Sequence, residues 1–301
     1  MAGNVLVHDI ALMETGLFIE AVYRQFGCDF RGFDKLVMKH KLELLTGRCG
    51  AENISALQGR VLRDRALARE TFRLLSVSAT SFLTTPSSFM ALRCAVLPVL
   101  RSASWPVIWI AECADPGIVV QMAVMLAEEG LSGKTQLFIT NPNEEVLNEV
   151  ARLRLDAQTM PARDAAHLRG GGLRSLVEYC DVYRDESSDD SSDESSDDAV
   201  GGFSLRAALR DNIVWSQYDL ASDASFKEFD LVVCQRPLGE FEITLQRRAL
   251  DIFGKSLCNF GILQIESPSV LLSADLARDF VSILPEQGIY RRSPAAVLAL
   301  L

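Results

Sequence analysis

The first stretch of the chain carries apolar residues at helical spacing. Ile10, Leu12, Leu17, Phe18, Ala21, Val22 and Phe26 predict one helix, with Gly27 as its stop. A second is predicted over 34–45, closed by Gly47. A third begins near Ser55, where Arg60, Arg63, Arg65, Arg69 and Arg73 interleave with Val61, Leu62, Leu67 and Phe72. This reads as an amphipathic helix with a basic outer face, for which a solvated surface is a more ordinary explanation than a docking face. No strand pattern precedes residue 100, so residues 1–84 are predicted to form a small all-helical domain, with 76–86 as connector.

From residue 87 the rhythm changes. A helical stretch, 89–100, leads into the apolar run Val107-Ile108-Trp109-Ile110-Ala111. A helix (119–129), a strand (137–140) and another helix (144–154) follow. Later come strands at 231–234 and 261–265 around a helix at 244–257, and a closing hairpin over 280–292. Short, fully apolar strands alternating with helices predict an α/β fold, a doubly wound and largely parallel sheet covered on both faces, over 85–301. Between 160 and 212 the alternation fails, at Gly170-Gly171-Gly172 and then at a Ser/Asp run.

That run, residues 185–198, changes the picture of charge. It holds eight acids and six serines, so of a net charge of −10 only −2 (−10 + 8) belongs to the rest of the chain. So polar a segment cannot offset its ordering entropy and is expected to be disordered. Its serines precede acids, as acidophilic kinases prefer, although a solvating insertion is the plainer explanation. The nearly neutral remainder offers no basic face for nucleic acid. No apolar run is long enough for a bilayer, and the N-terminus lacks a signal-peptide pattern. Seven scattered cysteines without a CxxC pair suggest a reducing, cytoplasmic setting. His8, His40 and His167 stand far apart, so no metal site is expected.

Three stretches, taken in order, carry a family likeness. The first is Tyr23-Arg24-Gln25-Phe26-Gly27-Cys28-Asp29-Phe30-Arg31-Gly32-Phe33. The second runs from Phe89-Met90-Ala91-Leu92-Arg93 through Val96-Leu97-Pro98-Val99-Leu100 to Ile108-Trp109-Ile110-Ala111-Glu112-Cys113. The third runs from Phe229-Asp230-Leu231-Val232-Val233-Cys234 to Leu245-Gln246-Arg247-Arg248, and Ile289-Tyr290-Arg291-Arg292 fits near the end. Together they resemble CheR-type chemotaxis receptor methyltransferases, which methylate receptor glutamates with S-adenosylmethionine. The resemblance implies a helical N-terminal domain, a Rossmann-like methyltransferase sheet and a small β-subdomain inserted at about 160–212, which in the family can dock a receptor tail.

It also implies where a cofactor would lie, and several of those positions are altered here. The glycine-rich AGCSTGEE turn reads Ala111-Glu112-Cys113-Ala114-Asp115-Pro116-Gly117-Ile118, with Glu112 at the first glycine and Gly117 displaced by one. The acid expected after the second strand is Asn141, able to bond a ribose hydroxyl only without charge. The connector's Asn, Thr and Arg correspond to Ser78, Thr80 and Thr84. On the fourth strand Asn and Tyr have become Arg236 and Glu240, which could pair with each other or fill the cofactor's space; a cationic Arg beside a sulfonium is unfavourable. The adenine-side Asn-Leu has become Asp219-Leu220, a mild change. Lys35, Lys39 and Lys41 would correspond to a basic partner-binding helix, thinner than the family's.

The resulting expectation is a degenerate methyltransferase without a cofactor, acting as an interaction or regulatory protein in chemosensory-type signalling. It would bind a protein partner such as a chemoreceptor, bind no nucleic acid, insert in no membrane and be monomeric. Two alternatives stand beside it: an active S-adenosylmethionine-dependent protein-glutamate O-methyltransferase, and a protein binding another small molecule among Glu112, Asp115, Arg236 and Glu240.

Overall fold

The computed structural model describes residues 2–78, 85–184, 201–266 and 279–293, with 2–9 as backbone alone. Thr80, Thr84 and the acidic run at 185–198 lie outside the described residues.

Four helices come first: α1 (Ala2–Phe26), α2 (Lys35–Arg48), α3 (Ile54–Val61) and α4 (Arg65–Ser76). Gly27, at φ +76°, stops α1 as expected. Two expectations are corrected here. Gly47 lies inside α2, which ends at Arg48 with Cys49 as its cap, and Gly50 (φ +60°) makes the turn. The predicted third helix is two helices. Asp64 takes the amide protons of Ala66 and Leu67 on its carboxylate and starts α4 afresh (2.9 and 3.1 Å). The apolar stripe runs on across this break, so spacing alone did not reveal it.

The α/β part follows the predicted order. After α5 (Pro86–Ala95) and α6 (Leu97–Ser102) come β1 (Val107–Ala111), α7 (Pro116–Glu128), β2 (Gln136–Asn141) and α8 (Glu144–Ala151). Next are β3 (Arg154–Asp156), α9 (Met160–Arg169), β4 (Cys180–Tyr183), β5 (Gly202–Leu205) and β6 (Ile213–Gln217). The chain closes with β7 (Phe229–Cys234), α10 (Ile243–Ser256), β8 (Leu257–Gln264), β9 (Phe280–Leu284) and β10 (Ile289–Arg292). The predicted helix over 144–154 is therefore too long. It stops at Ala151, and Leu153 turns through φ +51° into β3.

Seven strands form one sheet in the order β6-β2-β1-β7-β8-β10-β9. The first five are parallel, and β10 runs antiparallel to β8 and β9. This is the doubly wound, Rossmann-like order with a reversed terminal hairpin, and its switch point lies between β1 and β7. A separate antiparallel sheet, β3-β5-β4, sits beside it. Strand β6 escaped the apolar pattern because it pairs only with β2, at the sheet's edge, and ends in the exposed pair Ser216-Gln217.

Side chains alternate between the faces of β1. Ile108 and Ile110 join Leu231, Val233 and Ile262 under α7, whereas Trp109 and Ala111 join Val232, Cys234 and Leu263 on the other face. On that second face the core continues without a break into Phe18, Val22, Met38, Leu42 and Leu75 of the N-terminal helices. The join is tight. Phe33 and Phe241 stack edge to face at 5.2 Å, and the amides of Asp34 and Glu242 bond the carbonyls of Glu240 and Gly32, each at 2.9 Å. The N-terminal helices thus pack over the ends of β1 and β7, where a doubly wound sheet places its ligands.

Candidate functional site

The loops leaving β1 and β7 face each other at the switch point, and charged side chains bridge them. Glu112 follows β1 with φ +54°, a left-handed conformation that favours glycine. Its carboxylate is buried and accepts from Nε of Arg236 at 3.0 Å. Arg236, only 1 % exposed, also donates through Nη1 to Glu240 at 2.7 Å and through Nη2 to the backbone carbonyl of Ser76. Glu240 receives the Ser78 hydroxyl at 2.5 Å and the Lys41 ammonium at 3.1 Å. Two carboxylates and two cations therefore form one connected chain from α2 to the end of β1, buried at Glu112 and Arg236 and half-buried at Glu240 and Lys41, and Phe33 stacks against the Arg236 guanidinium at 5.0 Å.

The carboxyls differ in environment. Burial pushes the Glu112 carboxyl up, opposed by Arg236, while Asp219 and Glu240 add repulsion. Burial also acts to raise Glu240, but the charges of Arg236 and Lys41 hold it below its ordinary value. Burial and nearby Arg236 push the Lys41 ammonium down.

The backbone donors after β1 are also engaged. Gln235 Oε1 accepts the amide protons of Ala114 (2.8 Å) and Asp115 (3.3 Å), and Cys113 N–H goes to the Thr140 carbonyl. At the start of α7, Asp115 caps Gly117 N–H (2.8 Å) and binds the Arg163 guanidinium of α9 at 3.1 Å. That guanidinium lies against Gly117: a β-carbon there would sit 1.7 Å from Nη1. Asn141 is fully buried; its amide donates to the Cys113 carbonyl (2.9 Å) and its Oδ1 accepts from Asn143 N–H (2.8 Å).

Beside this network opens a cleft of about 600 Å³ between the N-terminal helices and the β6 and β7 loops. Of the residues singled out from sequence, Glu112, Asp219, Leu220 and Arg236 line it. Glu240 and Ser78 stand behind Arg236, and Gly117 and Asn141 are occupied within the protein. Lys41 points inward to Glu240, Lys39 is buried and paired with Glu43 at 3.5 Å, and Lys35 reaches Glu242 at 3.9 Å on the surface. Sequence reasoning passed over Gln235 and Arg163. Gln235 stands beside Arg236 in the altered fourth-strand motif, a signal that could have been followed. Arg163 lies on α9, 48 residues from Asp115, and no pattern links them. Among the described residues no cluster of His, Cys, Asp or Glu could hold a metal ion, and no helix is long and apolar enough to cross a membrane.

Gln235→Ala is expected to cost about 1–3 kcal/mol, because the Ala114 and Asp115 amides lose their acceptor inside the fold. Urea unfolding of the variant measures this, and an unchanged midpoint would show that water takes over the role of Gln235.

No protein-family model matches the chain. Over 283 residues, 93 % of this chain and 97 % of the relative, it is 30 % identical to a Pseudomonas putida protein named "Putative methyltransferase Cher3". The chain belongs to the same methyltransferase family as Cher3. Solved structures are more distant. The N-methyltransferase NodS of Bradyrhizobium japonicum, in complex with S-adenosylhomocysteine, shares 12 % identity at a TM-score of 0.34 over 69 % of this chain and 86 % of its own. The rRNA methyltransferase AviRa of Streptomyces viridochromogenes shares 13 % at 0.38, over 74 % and 89 %. Likeness at that level carries nothing about the site.

Proposed function

We propose that this chain keeps the methyltransferase scaffold, has given up S-adenosylmethionine-dependent catalysis, and acts as a protein-binding or regulatory component of chemosensory-type signalling. The observation carrying this reading is the Glu112–Arg236 ion pair across the switch point, 3.0 Å long and buried. It puts two bonded side chains at the turn where, by the family likeness, bare backbone would approach the cofactor. The neighbouring amides that could hold the cofactor's methionine end are spent on Gln235 and Asp115. A fold does not carry its activity with it when the site's donors are committed elsewhere.

The remaining parts of the proposal rest on the family likeness. The N-terminal helices (1–84) and the methyltransferase-like part (85–301), with its inserted region near 160–212, would be the units that meet a protein partner in the cytoplasm, and the chain would act as a monomer. Of the three lysines, Lys35 is the one placed to meet a partner, since Lys39 and Lys41 turn inward.

One observation favours the other reading, an active protein-glutamate O-methyltransferase: the likeness to Cher3 spans nearly both full chains. Calorimetric titration of S-adenosylhomocysteine into the full-length protein separates the two. The expected result is no binding up to millimolar ligand and no label transferred from S-adenosylmethionine to a chemoreceptor fragment. Micromolar binding would overturn the proposal and put the enzyme first.

A further inference from the structure

The cleft beside the charge network has a chemistry of its own. One wall is aromatic: Phe26 meets Phe72 edge to face at 5.1 Å, and Phe30 lies 6.4 Å from Phe72. All three rings line the space and give it an apolar side. Another part of the lining is acidic, made by Asp219 and Asp223 after β6 and by Glu144 at the start of α8. Asp223 accepts the Asp219 amide proton at 2.9 Å, which holds both carboxylates in one turn. Among the described residues, neither these two nor Glu144 has an ion-pair partner. Arg248 bonds the backbone carbonyls of Leu220 and Asp223, each at 2.8 Å, and not their side chains.

The two cations of the lining do not balance these acids. Arg236 is spent on Glu112 and Glu240, and Arg69 reaches Glu145 at 3.3 Å. Burial pushes the Asp219 carboxyl up, opposed by the Ala221 amide that it accepts, and the charges of Asp223 and Asp29 add to the rise. Such a cleft repels a glutamate side chain and favours a positive group with an apolar body.

We propose that this cleft binds an organic ammonium ion, its apolar body against Phe26, Phe30 and Phe72 and its charge facing Asp219, Asp223 and Glu144. The inference rests on the reading that the cleft does not serve the cofactor. Its cation would leave Arg236 paired as it stands.

The test is calorimetry on the full-length protein with benzyltrimethylammonium, with benzyl alcohol and phenylacetate as neutral and anionic counterparts. Only the ammonium is expected to bind, more weakly as salt is raised. The double variant Asp219→Asn with Asp223→Asn, which keeps the turn's acceptors, is expected to weaken binding by about tenfold or more while melting as a folded protein. Equal binding of all three probes, no ammonium binding by the folded protein, or an unaffected double variant would overturn the inference. S-adenosylhomocysteine, which lacks the sulfonium charge, is titrated in parallel. If it binds, the reading underneath fails and the inference with it; if both it and the ammonium are silent, the inference alone fails.

Discussion

Arg236→Met is expected to lower stability by about 3–5 kcal/mol at neutral pH, the cost of leaving buried carboxylates without their cation. Glu112 has no other cationic partner among the described residues, and the Ser76 carbonyl also loses its donor. Glu240 keeps Lys41 and Ser78, so most of the loss falls on Glu112. The pH dependence has a definite sign. Without Arg236, burial and the charges of Asp219 and Glu240 act on Glu112 unopposed, so its folded-state pKa rises further above the unfolded value. A folded state that binds more protons than the unfolded one gains stability as pH falls. The deficit of Arg236→Met should therefore be greatest at neutral pH and shrink as the pH descends towards the ordinary carboxylate range. Urea unfolding across that range measures it. Adding Glu112→Gln to Arg236→Met, with Glu240 left to pair with Lys41 and Ser78, should recover most of the loss, since it removes the buried charge that has lost its partner. A single variant as stable as the wild type would mean that water reaches Glu112 and that the bridge is not a dry one.

Trp109→Ala is expected to cost a similar amount, about 3–5 kcal/mol, through lost burial and the cavity left behind. Trp109 is fully buried at the centre of β1, with the rings of Tyr218, Phe226, Phe229 and Phe253 at 5.2–5.5 Å. Its indole N–H donates to the Thr140 hydroxyl at 2.8 Å, so the variant also strips a buried hydroxyl of its partner. Trp109→Phe, which keeps a ring but not the donor, should lose less. Both are read from the urea midpoint at constant slope. A small loss in the alanine variant would mean that the ring cluster collapses into the space. Because Tyr218 and Phe226 flank the loop bearing Asp219 and Asp223, the alanine variant is also expected to loosen one wall of the cleft.

Much of this molecule was legible in the order of its residues. Short apolar strands between helices require a sheet covered on both faces, because no other arrangement buries such runs on both sides. Hence β1, β2, β7, β8 and the closing hairpin stood where the pattern put them. The altered positions Glu112, Arg236 and Glu240 were visible as charges where glycine, Asn and Tyr were expected, and the Arg236–Glu240 contact at 2.7 Å is one of the two outcomes that substitution suggested. Elements with little apolar signal escaped: the edge strand β6, the short β3, and the break between α3 and α4 set by one carboxylate.

What sequence could not decide was partnership across distance. Glu112 and Arg236 lie 124 residues apart, and Lys41 lies 199 residues from Glu240. Lys41 looked like surface charge because helical periodicity gives the face of a residue and not what packs against it. Only the closing of the N-terminal helices over the switch point turned it inward. Local pattern determines which segments become helix or strand, since that depends on near neighbours along the chain. Which charges meet depends on how those segments dock, and only the tertiary structure joined two carboxylates, an arginine and a lysine in one chain of ion pairs at the sheet's switch point.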